Sequence, residues 1–127
     1  MDDLFVDAIS RALHAAFGDG YRIYADENVT QGLIEPCFLI ALITSSSEHI
    51  LDKRHERPYR FMVHYLPERE GDFREMRRIV DPAYAALYHL ILEDGTESGT
   101  LVRATQLEHD MADGVLHITV AWGVAGV

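Results

Sequence analysis

The sequence predicts a single α+β domain over residues 1–127, with elements in the order α-β-β-β-α-β-β. The sheet is expected to be antiparallel-dominated, with the two helices packed on one face. Three observations carry this prediction. Two stretches, beginning near Asp2 and Asp72, repeat apolar residues at spacings of three and four, which places them in one stripe on a helix. Residues 59–66 alternate between an aromatic and a mixed face, as a strand does. Asp113-Gly114, set between two strand-like runs, is a strong hairpin signal.

In the first helix the stripe is Phe5, Ile9, Ala12, Leu13 and Ala16. Asp2 and Asp3 stand at the positive end of the helix dipole, and Gly18 is placed to end the last turn at Phe17. Tyr21-Arg22-Ile23-Tyr24 follows the turn Gly18-Asp19-Gly20, and its aromatic and β-branched content predicts a short strand, with a loop after it to Pro36. From Cys37 to Thr44 the chain is apolar on both alternate faces and too short for a typical core helix. It reads as an interior strand covered on both sides, the least exposed of the set.

Ser45-Ser46-Ser47-Glu48 breaks the pattern, and the chain to Arg57 is polar except for Ile50 and Leu51, a long excursion or a short helical insertion. Tyr59, Phe61, Val63 and Tyr65 then alternate with Arg60, Met62, His64 and Leu66 until Pro67 stops the strand. Asp72 with Glu75 fits a capping box, and Phe73, Met76, Val80, Ala83, Leu87 and Leu90 continue as a second amphipathic helix. Pro82 lies inside that stripe, whose unbroken phase favours one kinked helix over a fresh one capped by Asp81. Leu101 to His109 and Val115 to Val124 are the strands of the final hairpin.

With 48% hydrophobic and 25% charged residues the composition is that of an ordinary globular domain, large enough for a core without staples. Cys37 is the only cysteine and has no intramolecular partner. The start Met1-Asp2-Asp3 is acidic where a secretory or mitochondrial leader would be basic, and no apolar run approaches the ~18 residues of a membrane span, so a protein of the cytosol, or a part of something assembled there, is expected. The net charge of -10 repels a phosphate backbone, which argues against specific nucleic-acid binding. Eight of the eleven basic residues fall between 48 and 80, a mildly basic segment between acidic flanks that suits a head-to-tail contact between proteins.

The chemical inventory is sparse. His49 and His55 are six apart, and the pair His55-Glu56 lacks the second histidine of a metalloprotease helix because Tyr59 stands in its place. His64 and His117 lie on predicted strands and read as structural, while Cys37 beside Pro36 reads as a small hydrophobe. None of the nine glycines is arranged as a phosphate loop, dinucleotide fingerprint or nucleophile elbow. Carboxylates such as Asp26-Glu27 or Glu108 and Asp110 read as solvated. The residues therefore predict no catalytic activity, no cofactor and no tightly bound metal. The competing readings are a small enzyme or ligand-binding domain using His49, His55 and nearby acids, and a regulatory protein-binding module.

Tyr24-Ala25-Asp26-Glu27, followed by Gln31-Gly32-Leu33-Ile34-Glu35-Pro36-Cys37-Phe38-Leu39-Ile40, resembles a signature of the tail terminator proteins of long-tailed bacteriophages and prophages. Two further blocks agree in order and spacing: the alternating Arg57, Tyr59, Phe61, Val63, Tyr65 and Pro67, and Asp113-Gly114-Val115-Leu116-His117. The chain departs from the pattern at Lys53-Arg54-His55, at Asp81-Pro82 and at Ala121-Trp122-Gly123-Val124. The resemblance implies an assembly protein without an active site. It would form a ring, expected to be a hexamer, on the end of the tail tube, stop tube growth and meet the head-completion proteins. The expected location is the virion, at the head-tail junction, after assembly in the bacterial host cytoplasm. An acidic lumen would let DNA pass without sticking, and no membrane is involved. Lys53, Arg54, Arg57 and Arg60 concentrate cations in an acidic chain and are the expected contact with the tail tube or the adjoining subunit.

Overall fold

A computed structural model describes residues 2–25, 32–43 and 59–123. The chain runs α1 (Asp2–Phe17), β1 (Arg22–Tyr24), β2 (Cys37–Leu42), β3 (Tyr59–Leu66), α2 (Phe73–Tyr88), β4 (His89–Leu92), β5 (Thr100–Ala112) and β6 (Val115–Gly123). The six strands form one sheet in the order β1-β2-β3-β6-β5-β4. Only the β1–β2 pair is parallel; the remaining neighbours are antiparallel.

Both helices bury their stripes against one face of this sheet. From α1, Phe5, Ala8, Ile9 and Leu13 enter the core, and from α2, Met76, Ile79, Val80, Ala83 and Leu87. Phe5 stacks on Tyr59 at 4.6 Å and on Phe61 at 5.7 Å between ring centres, with Trp122 tilted against it at 5.5 Å. Aromatic pairs at such separations add to what area burial alone contributes. The indole N–H of Trp122 donates to the carbonyl of Leu87 at 2.8 Å. That carbonyl belongs to the last turn of α2, where helix geometry leaves acceptors unpaired. One bond therefore satisfies a buried indole and ties the helix end to β6.

The turns follow local chemistry. Gly18 takes φ +83° and donates its N–H to the carbonyl of His14 at 2.8 Å, ending α1 in a left-handed cap. Asp113 and Gly114 both have positive φ, 56° and 75°, the mirror-image turn whose twist matches a hairpin. At the start of α2 only half of the capping box forms. Asp72 accepts from the Glu75 N–H at 3.1 Å, while the Glu75 carboxylate turns instead to the Tyr65 hydroxyl and, at 2.9 Å, to the Glu68 N–H. Glu75 thereby fastens the end of β3 to the first turn of α2. Burial, and then Glu75, push the Tyr65 phenol well above its usual range.

Two expectations are corrected. The run from Cys37 was read as covered on both faces and least exposed. Phe38 and Ile40 are buried on the helix side, but Leu39 and Ala41 are half-buried on the other and Leu42 is 39% exposed. The best-covered strand is β6, with five of its nine residues buried and none exposed, because it lies between β3 and the long β5 whereas β2 has only three-residue β1 outside it. Secondly, the stripe carried to Leu90 does not stay helical. α2 is continuous through Pro82 and ends at Tyr88; Leu90 belongs to an additional strand, β4, whose burial alternates along His89–Leu92.

Candidate protein interface

Among the described residues the sheet ends in two edges, β1 and β4, where backbone groups lack a ladder partner. The β4 edge is partly closed. The Arg11 guanidinium of α1 donates to the Ile91 carbonyl at 3.0 Å and occupies one acceptor a second strand would use. Beside it Ile91 and Leu101 face each other across β4 and β5, each 53% exposed. A cleft of about 280 Å³ runs between α1 and β4 along Ala8, Arg11, Ala12 and Leu90.

α2 presents a different surface. Phe73 is 53% exposed in its first turn, and Arg74, Arg77 and Arg78 are exposed around it. An aromatic anchor ringed by guanidinium groups is a composition enriched at protein interfaces. The charge count singled out these arginines as part of the basic middle third but not Phe73, whose helical spacing marked it as part of the stripe.

Of the residues expected to meet a partner, Lys53, Arg54 and Arg57 lie outside the described residues, as do His49 and His55. Arg60 is described. It sits half-buried on β3 opposite Ala121 of β6, on the sheet face turned away from the helices, and its backbone carbonyl accepts from the Ile43 N–H at 3.0 Å. Its Nε is buried without a hydrogen-bond partner among the described residues. A buried guanidinium N–H without an acceptor is costly, and a partner's carbonyl or carboxylate there would relieve the cost.

Sequence reasoning missed the pairing of His64 and His117. They are cross-strand neighbours on β3 and β6 with their Nδ1 atoms 2.8 Å apart. Burial, and then the neighbouring His117, lower the His64 pKa. The signal was present in the strand parity, since both lie opposite the aromatic faces of their strands, but register is needed to bring them level. Among the described residues no group of three or more metal-ligating side chains converges. A second cleft, of about 330 Å³ between the end of β3 and the β5–β6 turn, is lined by Glu35, Pro67, Glu68, Glu70, Asp113 and Val115.

A family model described as phage tail terminator protein matches residues 5–125 of the 127. No curated protein matches the chain.

Proposed function

The chain belongs to a phage tail terminator protein family, and from that premise we propose that it caps the tail tube as a closed ring, a hexamer of this subunit. The ring stops tube elongation and joins the tail to the head-completion proteins at the head-tail junction of the virion, after assembly in the host cytoplasm. The role is structural, without catalysis or cofactor. The family match over nearly the whole chain is the observation that carries this reading. The two surfaces described above support it, because a ring subunit needs two different contacts, one for each neighbour. A basic, aromatic patch on α2 and an apolar strip at β4–β5 are such a pair, set on a chain whose net charge of -10 suits a lumen through which DNA slides.

Native mass spectrometry and electron microscopy of the purified protein test the ring. Rings of six support it, and a subunit monomeric at all concentrations, including in the presence of tail tubes, refutes it. In infected or induced cells, loss of the protein yields tails of irregular length that fail to join heads. Reversing Lys53, Arg54 and Arg57 to Glu leaves circular dichroism unchanged and weakens ring closure or capping. Tails of normal length from that variant reject the basic segment as a contact.

A further inference from the structure

On the sheet face turned away from the helices, β5, β6, β3 and β2 present a row of cross-strand neighbours: Asp110, His117, His64 and Leu39. The two imidazoles meet in its centre, half-buried, with Nδ1 atoms 2.8 Å apart and ring planes at 90°. Nε2 of His117 lies 3.2 Å from the Ala112 carbonyl oxygen. A carbonyl only accepts, so Nε2 of His117 carries the hydrogen and its Nδ1 carries a lone pair. In the neutral pair His64 is then the donor, through Nδ1–H, and keeps a lone pair on Nε2.

We propose that His64 and His117 form a two-imidazole site for a divalent transition ion of the copper(II) or nickel(II) kind, bound by both Nδ1 atoms. Binding needs no change in the number of protons. His64 moves its hydrogen from Nδ1 to Nε2, and the ion sits beside the line joining the two Nδ1 atoms, with both rings turned so that their lone pairs meet it. The spacing of the hydrogen-bonded pair also fits a tetragonal ion. Bonds of about 2.0 Å at the right angle of a tetragonal site put two nitrogens about 2.8 Å apart, whereas a tetrahedral angle needs about 3.3 Å. The observed separation is 2.8 Å. Zinc, which prefers the tetrahedron, requires the strands' side chains to spread.

The surroundings suit this use. A histidine that binds a metal ordinarily donates its other ring N–H to a carbonyl or carboxylate, which fixes tautomer and orientation, and the Ala112 carbonyl already does so for His117. Asp110, exposed and level with His117, adds a negative charge on the same face. Water completes the coordination. With two protein ligands the ion is held reversibly, a different matter from a tightly bound structural metal.

The test is a titration of the full chain with nickel or copper chloride, followed by calorimetry and by NMR of the histidine ring protons. One ion per chain binds, and the first fraction of an equivalent broadens His64 and His117 before the other five histidines. Because this readout uses the unaltered protein, it does not depend on a variant folding. His64→Gln and His117→Gln each weaken binding at least about tenfold, the minimum effect of losing even an outer partner of a metal ligand. His14→Gln, altered on the exposed side of α1, leaves it unchanged. Zinc chloride binds more weakly than nickel. Earlier broadening at any other histidine, unchanged affinity in both glutamine variants, or tighter binding of zinc than of nickel overturns the assignment.

Discussion

Replacing Tyr65 by Phe tests how β3 and α2 are joined, because it deletes one hydroxyl and preserves the ring. Tyr65 is 0% exposed, and its hydroxyl donates to the Glu75 carboxylate, which also accepts from the Glu68 N–H. A hydrogen bond to a charged group contributes ~1.5–3 kcal/mol. Glu75 is half-buried and keeps its second donor at 2.9 Å, so the expected loss is in the lower half of that range, about 2 kcal/mol. At ~2.1 cal/mol/K per residue over 127 residues, that loss lowers the melting temperature by about 7 °C.

Urea unfolding followed by circular dichroism measures the change, and an unchanged m-value shows that the unfolding reaction is the same. Glu75→Gln closes a double-mutant cycle whose coupling is about 1 kcal/mol. The phenol also gives a pH signature. Its folded pKa is raised above the ordinary value of 10.0. The stabilisation is therefore complete below pH 10 and declines as pH rises beyond it, because the unfolded chain gives up the proton first. The Phe variant lacks this part of the alkaline decline. A cost below about 0.5 kcal/mol with no coupling to Glu75 would refute the argument that this bond fastens helix to strand.

Gly99→Ala destabilises by about 1–3 kcal/mol, since φ is +70° and a Cβ would meet the Leu92 carbonyl oxygen at 2.8 Å and Ile91 Cγ2 at 2.9 Å. Gly95→Ala, with positive φ but nothing within 4 Å, costs only about 1 kcal/mol, and equal costs in denaturant titrations would sink the steric account. Asp94 accepts from the Thr100 and Thr96 hydroxyls and the Thr96 N–H, which hold its carboxyl pKa down to about 2. Below its ordinary value of 3.8 this support starts to fade, and it is gone once pH falls through about 2. Protection factors for hydrogen exchange at Thr96 and Gly99, corrected for the intrinsic rate at each pH, should fall under these conditions, and in Asp94→Ala at neutral pH. Leu13→Ala, which empties a fully buried site of α1, costs about 2–5 kcal/mol, and a loss below 1 kcal/mol would mean that α1 is not docked as described.

Periodicity was enough where one face of an element meets the core and the other meets water. The stripes of α1 and α2, the alternation from Tyr59 to Leu66 and the Asp113-Gly114 turn are each specified by residues close in sequence, through side-chain direction and backbone sterics. The family signature was legible for the same reason, being carried by contiguous blocks from Tyr24 to Ile40 and along β3. By contrast, the end of α2 is not written locally. Ala83, Leu87 and Leu90 keep helical phase, and no glycine follows Tyr88. The helix stops there because His89–Leu92 gains ladder bonds from β5 and Trp122 takes the Leu87 carbonyl, and both partners come from later in the chain.

The same holds for the surfaces. Hydropathy marked Leu39 and Ala41 as buried, but burial on a sheet's second face depends on what covers it, and both helices went to the first. Seven histidines could be counted and their spacing judged, yet His64 and His117 are 53 positions apart and become a pair only through the antiparallel register of β3 and β6. Elements, turns and family were determined by short-range patterns of side chains along the chain. Helix length, sheet edges, the covered face and the histidine pair were decided by long-range strand pairing, because register aligns residues that no local periodicity relates.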